Sequence, residues 1–419
     1  MEVKSGDCPP GYKQTEVGVI PEEWEIKPLF SLSTEIGDGI HSTPNYIKSS
    51  EFYFVNGNNL VNDRISITDS TMCVSESEYK TLRKNLTDRT LLLSINGTIG
   101  NLAFYNGEQV VLGKSAAYIN VAKTGSRTFI SYCLKNRPTS LFFENELTGT
   151  TIRNLSLQSL RNTPVPLPPT IEEQRAIAGA LSDVDALIGA LDQLIAKKLN
   201  LKQAAMQQLL TGQKRLPSFH GEWGVKRLGD VFSISAGKSK SAYVVIGGRY
   251  WVVDMGSVSR DGRLIVSKGT NYQGDFLKAG DLVMPKDDIG GGNIIGKVGY
   301  IDADDTYVLG DHVYCLRANV GDPLFLCYVI NGHKTNNALR KKVIGSAQLG
   351  LGRKSVEEQE IPFPLPTEQT AIAEVLSDMD AELAALTQRR DKTRAIKQGM
   401  MQELLTGRVR LTKLKIENG

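Results

Sequence analysis

The sequence predicts an α/β (α+β) protein. Two β-rich modules are separated by two long helices, which pair as an antiparallel coiled coil with pseudo-twofold symmetry. Three observations predict it. First, EQRAIAGALSDVD at 173–185 returns as EQTAIAEVLSDMD at 368–380, displaced by 195 residues. The displacement holds without a gap through QLLTG (208–212) and ELLTG (403–407) to Arg215-Leu216 and Arg410-Leu411. Second, apolar residues within each copy alternate steps of four and three, the seam spacing of a coiled coil. Third, the segments before each copy are made of short apolar runs broken by Gly and Asn, which read as strands.

The long helices come first because their signal is clearest. In the first rod the seam is Ile177, Leu181, Val184, Ile188, Leu191 and Ile195, then Lys198 and Lys202, then Ala205 and Leu209. In the second it is Ile372, Leu376, Met379, Leu383 and Leu386, then Arg390, Thr393 and Lys397, then Met400 and Leu404. Thr170 and Glu173 form an S/T-x-x-E capping box, and Gly212 and Gly407 stand where a C-terminal cap glycine belongs. A lone helix of this length leaves its apolar stripe in water, so the other copy is the natural partner. Acids lie early in each rod and bases late. Parallel pairing would set like charges together. Antiparallel pairing centred near residues 192 and 387 brings Lys198 toward Glu382, Lys202 toward Asp378, Arg394 toward Asp185 and Lys397 toward Asp183. The same charge order also suits each helix dipole taken alone.

The modules follow. In the first, FYFV (52–55), TLLLSI (90–95), NLAFY (101–105) and AAYINV (116–121) read as strands. In the second, YWVV (250–253), DLVMP (281–285), KVGYI (297–301) and HVYCLR (312–317) do. Each module then gives a helical stretch, Thr128–Leu147 and Pro323–Val343, and closes on Gly149-Thr150 or Gly345-Ser346. Each opens on a matched pair, PEEWEIKPL (21–29) and HGEWGVKRL (220–228), and ends at Pro166-Leu167-Pro168 or Pro364-Leu365-Pro366. The chain thus divides into an N-terminal extension (1–20), a first module (21–165), a first rod (166–215), a second module (216–363), a second rod (364–412) and a tail (413–419). The opening residues are polar and read as frayed. The rods are near-copies and the modules share only a skeleton, so one scaffold carries two divergent binding surfaces.

Composition narrows the function. Five cysteines, scattered and odd in number, form no CxxC pair, which argues against a disulfide framework or a zinc site and fits a reducing cytosol. No apolar run reaches membrane-spanning length and no signal peptide opens the chain. The net charge is +3, so charge alone makes a weak case for nucleic acid. Catalytic motifs are absent. GEQVVLGKS (107–115) has five residues between Gly107 and Gly113 where a phosphate loop has four, and it leads into a strand. IGGGNIIG (289–296) is a turn between strands, not the opening of a helix. No Asn-Pro-Pro-aromatic run occurs. The four histidines show no metal-ligand spacing; His41, in the polar turn GDGIHSTPNY, is the one kept as a candidate for contact.

Four elements occur twice in fixed order. Trp is followed by a basic residue and Leu at each module start. Pro-Leu-Pro then precedes Glu-Gln-x-x-Ile-x-x-x-Leu at each rod start, and Leu-Leu-Thr-Gly-x-x-Arg-Leu ends each rod. Together they cover residues 20–411, and they resemble the specificity subunit of type I restriction–modification systems. The resemblance implies that the modules are target recognition domains. It also implies that the rods pack antiparallel and dock two modification (methyltransferase) subunits, joined by restriction (translocase and nuclease) subunits. The target implied is double-stranded DNA with two half-sites and an unspecified spacer, an adenine being methylated in each, in a cytoplasmic phage-defence complex. It assigns no catalysis and no cofactor to this chain. S-adenosylmethionine, ATP and Mg would sit on the partner subunits.

On that reading, DNA contact falls to polar turns flanked by glycine, where a backbone can approach a duplex. In the first module these are His41, Lys48, Asn58, Asn96, Thr98, Lys114 and Arg153. In the second they are Lys238, Lys240, Arg249, Lys286, Arg353 and Lys354. Any of them can instead be an ordinary solvated loop residue. A second reading of the whole chain is a coiled-coil scaffold that spaces two protein- or glycan-binding modules. It expects no binding to duplex DNA. A third, an enzyme built on the glycine turns, expects loss of a nucleotide-dependent activity on changing Gly113 or Lys114.

Overall fold

The computed structural model describes residues 8–149, 153–288, 291–345 and 349–411. Thr150, Ser346, the start of the 289–296 glycine run, residues 1–7 and the tail 413–419 lie outside them. The chain forms two compact units. The first takes residues up to Ala190 and from Arg389 onward, and the second takes Leu191–Gln388. The division therefore falls inside both rods, and each unit holds one module with part of each helix.

In the first unit a four-stranded antiparallel sheet runs in the order Leu102–Phe104, Thr90–Ser94, Ala116–Val121, Ser33–Asp38. Its central strands are buried on both faces, as their unbroken apolar sequences require. A second sheet contains a parallel pair, Tyr53–Val55 beside Val110–Leu112. The second unit repeats both features. Gly299–Tyr300, Leu282–Pro285, Val313–Ala318 and Phe232–Ala236 form the antiparallel sheet. Tyr250–Val253 and Tyr307–Leu309 form the parallel pair.

Each module is closed by pairing its two ends. Pro164–Leu167 runs antiparallel to Glu25–Pro28, and Glu360–Phe363 to Gly224–Arg227. The first Pro-Leu-Pro thus begins in its two-stranded ribbon, where a missing N–H is tolerated, and the second directly follows its ribbon. They lead into helices Ile171–Leu209 and Pro366–Leu404, 39 residues each and about 58 Å long at 1.5 Å per residue. Rod and module share one core in each unit. In the first, Ile177, Leu181, Leu404 and Leu405 pack with Trp24, Leu29, Leu93 and Phe129. In the second, Leu209, Leu210, Ile372 and Leu376 pack with Leu228, Leu316 and Phe325. Each such side chain contributes about 1.5–3 kcal/mol on burial.

The structure corrects four expectations. The opening segment is not frayed from residue 12 onward. Tyr12–Thr15 and Gly18–Pro21 form a hairpin that buries Ile20 completely. The helical stretch 128–147 is two helices, Arg127–Lys135 and Arg137–Glu146. Asn136 caps the second, its side chain accepting from Arg137 N at 2.9 Å, and Pro138 sits in its first turn. The stretch 323–343 is likewise two helices, Pro323–Asn331 and His333–Arg340, divided at Gly332. The capping box before the first rod is half realised. Glu173 N donates to Thr170 Oγ1 at 3.3 Å, but the Glu173 carboxylate is taken by Arg410.

The rods pair antiparallel within each unit. Lys198 Nζ lies 2.6 Å from Glu382 in the second unit, as charge order predicts. Two of the other pairs are displaced by two residues. Lys202 meets Asp380, not Asp378, and Lys397 meets Asp185, not Asp183, both at 2.6 Å. Arg394 lies 3.9 Å from Asp391 on its own helix. The reason for the displacement lies in the modules, below. Gly212 and Gly407 cap the rods at φ +71° and +69°. At Gly407 a Cβ would also press on Pro21 and Trp24, so there glycine serves both the turn and the packing.

Candidate nucleic-acid interface

Three joints fix each module on its helices, and the repeated motifs supply them. The motif glutamate is buried in both units, Glu173 2% and Glu368 1% exposed. It faces the arginine that follows the other rod's end. Arg410 Nε and Nη2 donate to Glu173 at 2.5 and 2.8 Å. Arg215 does the same to Glu368 at 2.5 and 2.6 Å. These hydrogen bonds hold both guanidiniums above the ordinary arginine range. The arginine lies over the module's opening tryptophan, Arg410 at 5.7 Å from Trp24 and Arg215 at 5.4 Å from Trp223. The units differ at the tryptophan: Trp223 Nε1 donates to Glu368 at 3.1 Å, and the buried Trp24 N–H finds no protein acceptor among the described residues.

The motif glutamine makes the second joint. Gln174 Oε1 accepts from Ser126 N, and Gln369 Oε1 from Asp322 N, both at 2.9 Å. Ser126 and Asp322 are the N-caps of the module helices, so each rod anchors the helix that lies on its module's sheet. The third joint is a Tyr–Asp–Lys node. Tyr132 donates to Asp185 Oδ2 at 2.8 Å, and Lys397 reaches Oδ1 at 2.6 Å and lies 5.5 Å from the Tyr132 ring. Tyr328 donates to Asp380 Oδ2 at 2.7 Å, and Lys202 reaches Oδ1 at 2.6 Å and lies 5.4 Å from the Tyr328 ring. Burial first, and the carboxylate in addition, push both phenols well above the usual tyrosine range. The tyrosine selects which aspartate the lysine meets, which explains the displaced pairs.

The loops held this way gather at one end of each module's antiparallel sheet. In the first module, Ile95 N donates to Ser115 O at 3.0 Å and Gly97 N to Arg153 O at 3.0 Å, and Asn96 bridges Asn154. Ser115 Oγ accepts from Gly57 N and donates to Asn56 Oδ1, each at 2.9 Å. Ile40 pairs with Gly113, and a Cβ on Gly39 would strike the Leu112 carbonyl. Six of the seven sequence candidates sit in this cluster: His41, Asn58, Asn96, Thr98, Lys114 and Arg153. His41 Nε2 lies 2.9 Å from Asp38. Lys48 stands apart, following Tyr46–Ile47 at the edge of the second sheet.

The second module assembles the same end from different residues. Lys286 N donates to His312 O at 3.0 Å and Leu351 N to Lys286 O at 2.8 Å. A Cβ on Gly237 would strike Gly310 as Gly39's would strike Leu112. Lys286, Lys238 and Arg353 belong here, with Arg353 also bonded to Glu357 at 2.7 Å and Lys354 3.8 Å from Glu358. Two candidates do not fit as expected. Lys240 is 4% exposed, with its ammonium 2.7 Å from Asp275 and 4.9 Å from the Tyr272 ring, so it serves the fold. Arg249 lies on Tyr250, beside the exposed apolar turn Tyr243–Ile246.

Sequence reasoning missed His312 and Asp287. His312 adopts φ +60° and holds Nδ1 2.7 Å from Asp287 Oδ2. Nothing local in the sequence marks that left-handed turn. It also missed Tyr132 and Tyr328, which a search for matched residues at offset 196 would have found. Of the glycine turns, the first, Gly113-Lys114, runs directly into strand Ala116–Val121. In the second, Ile294 N donates to Asp288 Oδ2 at 2.9 Å. Among the described residues no group of His, Cys, Asp and Glu is arranged to hold a metal. None of their helices is long and apolar enough to cross a membrane.

Two like units with unlike loop ends define a two-headed recognition protein. Residues 21–200 and 220–394 match the family model described as the type I restriction modification DNA specificity domain. The chain belongs to this family, and its role is DNA sequence specificity. It is 25% identical over 431 residues to the type I restriction enzyme MjaVIII specificity subunit of Methanocaldococcus jannaschii, across 94% of this chain and 95% of that one. The putative MjaX specificity subunit of the same organism is 25% identical across 96% and 97%. Among solved structures, the S subunit of a type I restriction–modification system from M. genitalium covers 91% of this chain and 96% of its own. Its TM-score is 0.61 at 17% identity, a likeness of fold.

Proposed function

We propose that this chain reads a bipartite, asymmetric DNA target, one half-site per module, and catalyses nothing itself. The observation that carries the reading is the contrast within the repeat: the joints to the rods are the same residues twice, and the loop ends are not. Two different loop ends give two different half-sites, so the target need not be a palindrome. The contacts in the first module would come from His41, Asn58, Asn96, Thr98, Lys114 and Arg153. In the second they would come from Lys238, Lys286, Arg353 and Lys354, with Lys48 and Arg249 reaching flanking phosphates. Arg, Lys and Asn are the side chains whose donors match base edges and phosphates.

Two modification subunits, docked on the near-identical rods, would methylate an adenine in each half-site, and restriction subunits would translocate and cut. S-adenosylmethionine, ATP and Mg would be bound by those partners, in the cytoplasm. A structural relative with a TM-score of 0.55 comes from work described as the structural basis of complex assembly and conformational transition of the type I R-M system, which supports assembly with other subunits. The test is co-expression with the neighbouring modification subunit, followed by single-molecule sequencing of the host DNA. The expected result is methylated adenine in a split motif. An unmethylated genome in a strain that makes the assembled complex would contradict the reading.

A further inference from the structure

We propose that the two Tyr–Asp–Lys nodes are positioning devices that hold the target to a single spacer length. The inference rests on the bipartite reading above and names residues that touch no DNA. Its warrant is selective repetition. The rod-to-rod pair Lys198–Glu382 has no copy, because the matched positions are Thr393 and Leu187. The pairs that engage a module tyrosine, Asp185–Lys397 and Asp380–Lys202, occur in both units with the same residue types. Each node ties three elements at one carboxylate: a module helix by the tyrosine hydroxyl, one rod by the aspartate, the other rod by the lysine. The ammonium lies over the ring whose hydroxyl meets the same aspartate, so the ring is fixed at both its edge and its face. The tyrosines are buried, Tyr132 4% and Tyr328 9% exposed, and the aspartate and lysine of each node are partly exposed.

Base reading needs contacts placed to about 0.5 Å and 10–20°. Adding one base pair to a spacer moves a half-site by about 3.4 Å and turns it by about 35°. A module free to rock on its rods would accept part of that displacement, and one held by the node would not. Loss of one ordinary hydrogen bond shifts such an equilibrium by about tenfold.

The test uses the full chain assembled with its modification subunit. Plasmids carry both half-sites at the native spacing, one base pair shorter and one longer. Wild type should methylate the native spacing alone. Tyr132→Phe and Tyr328→Phe should each raise methylation of the off-length sites, relative to the native site, by about tenfold, and the double variant by more. Tyr118→Phe is the control. Tyr118 donates to Glu35 at 2.6 Å inside the first module, away from the rods, so its loss should leave the spacer intact. The proposal is overturned if the node variants keep the wild-type ratio while melting as folded protein, or if Tyr118→Phe broadens the spacer equally. A wild type that methylates no split target would instead overturn the bipartite reading, and this inference with it.

Discussion

The joint between module and rods and the loop end of the same module obey opposite rules. At the joint, Trp24, Glu173, Gln174, Tyr132, Asp185, Lys397 and Arg410 have the counterparts Trp223, Glu368, Gln369, Tyr328, Asp380, Lys202 and Arg215. Their bonds agree to within about 0.2 Å. At the loop end, Ser115 held by Asn56 stands in one unit where His312 held by Asp287 stands in the other. A buried charge network tolerates few substitutes, because removing one member strands the rest. An exposed loop end changes at little cost to stability. The comparison shows how one fold can keep its geometry and vary what it recognises.

The largest expected effect is on the shared core. Leu181→Ala and Leu376→Ala, both fully buried at matched positions, should each cost about 3 kcal/mol, read by urea unfolding. Unequal losses would break the equivalence of the units. Arg410→Ala should cost about 2 kcal/mol. It leaves the buried Glu173 unpaired, and the arginine's partial exposure discounts the figure. The nodes predict a pH dependence. Both phenols are raised above the ordinary value of 10.0. The folded state therefore keeps a proton that the unfolded chain loses. The nodes' stability is fully present below pH 10 and is lost as pH rises beyond it. The melting temperature should fall from pH 9 to 11 in wild type and fall less in the Tyr132→Phe, Tyr328→Phe double variant. The smallest effect on stability belongs to the loop ends. Arg153→Ala or Lys286→Ala should shift stability by less than about 0.5 kcal/mol, yet lower methylation through one half-site.

Much of the scaffold was legible because it is periodic and duplicated. The buried positions Ile177, Leu181, Leu191, Ile195 and Leu209, the cap glycines 212 and 407, and the pair Lys198–Glu382 all follow from spacing and charge order. What escaped was set by tertiary contact. Charge order alone pointed Lys202 at Asp378, and the Tyr328 hydroxyl settles it on Asp380. Lys240 looked like an open cation and is buried against Asp275 and Tyr272, a partnership 35 residues away that no local pattern shows. The helix breaks at Asn136, just before Pro138, and at Gly332 fall on visible residues whose apolar surroundings suggested continuity. The role of His312 depends on a backbone angle and on Asp287, two loops apart in sequence.

The most direct test of fixed joints and variable loop ends is a module exchange. Residues 216–363 would be replaced by the same segment of a relative with a different target, keeping both rods, and the chimera would be co-expressed with its modification subunit. Single-molecule sequencing should then show one half of the methylated motif replaced, with the other half and the spacer unchanged. A change in both halves, or in neither, would contradict the account.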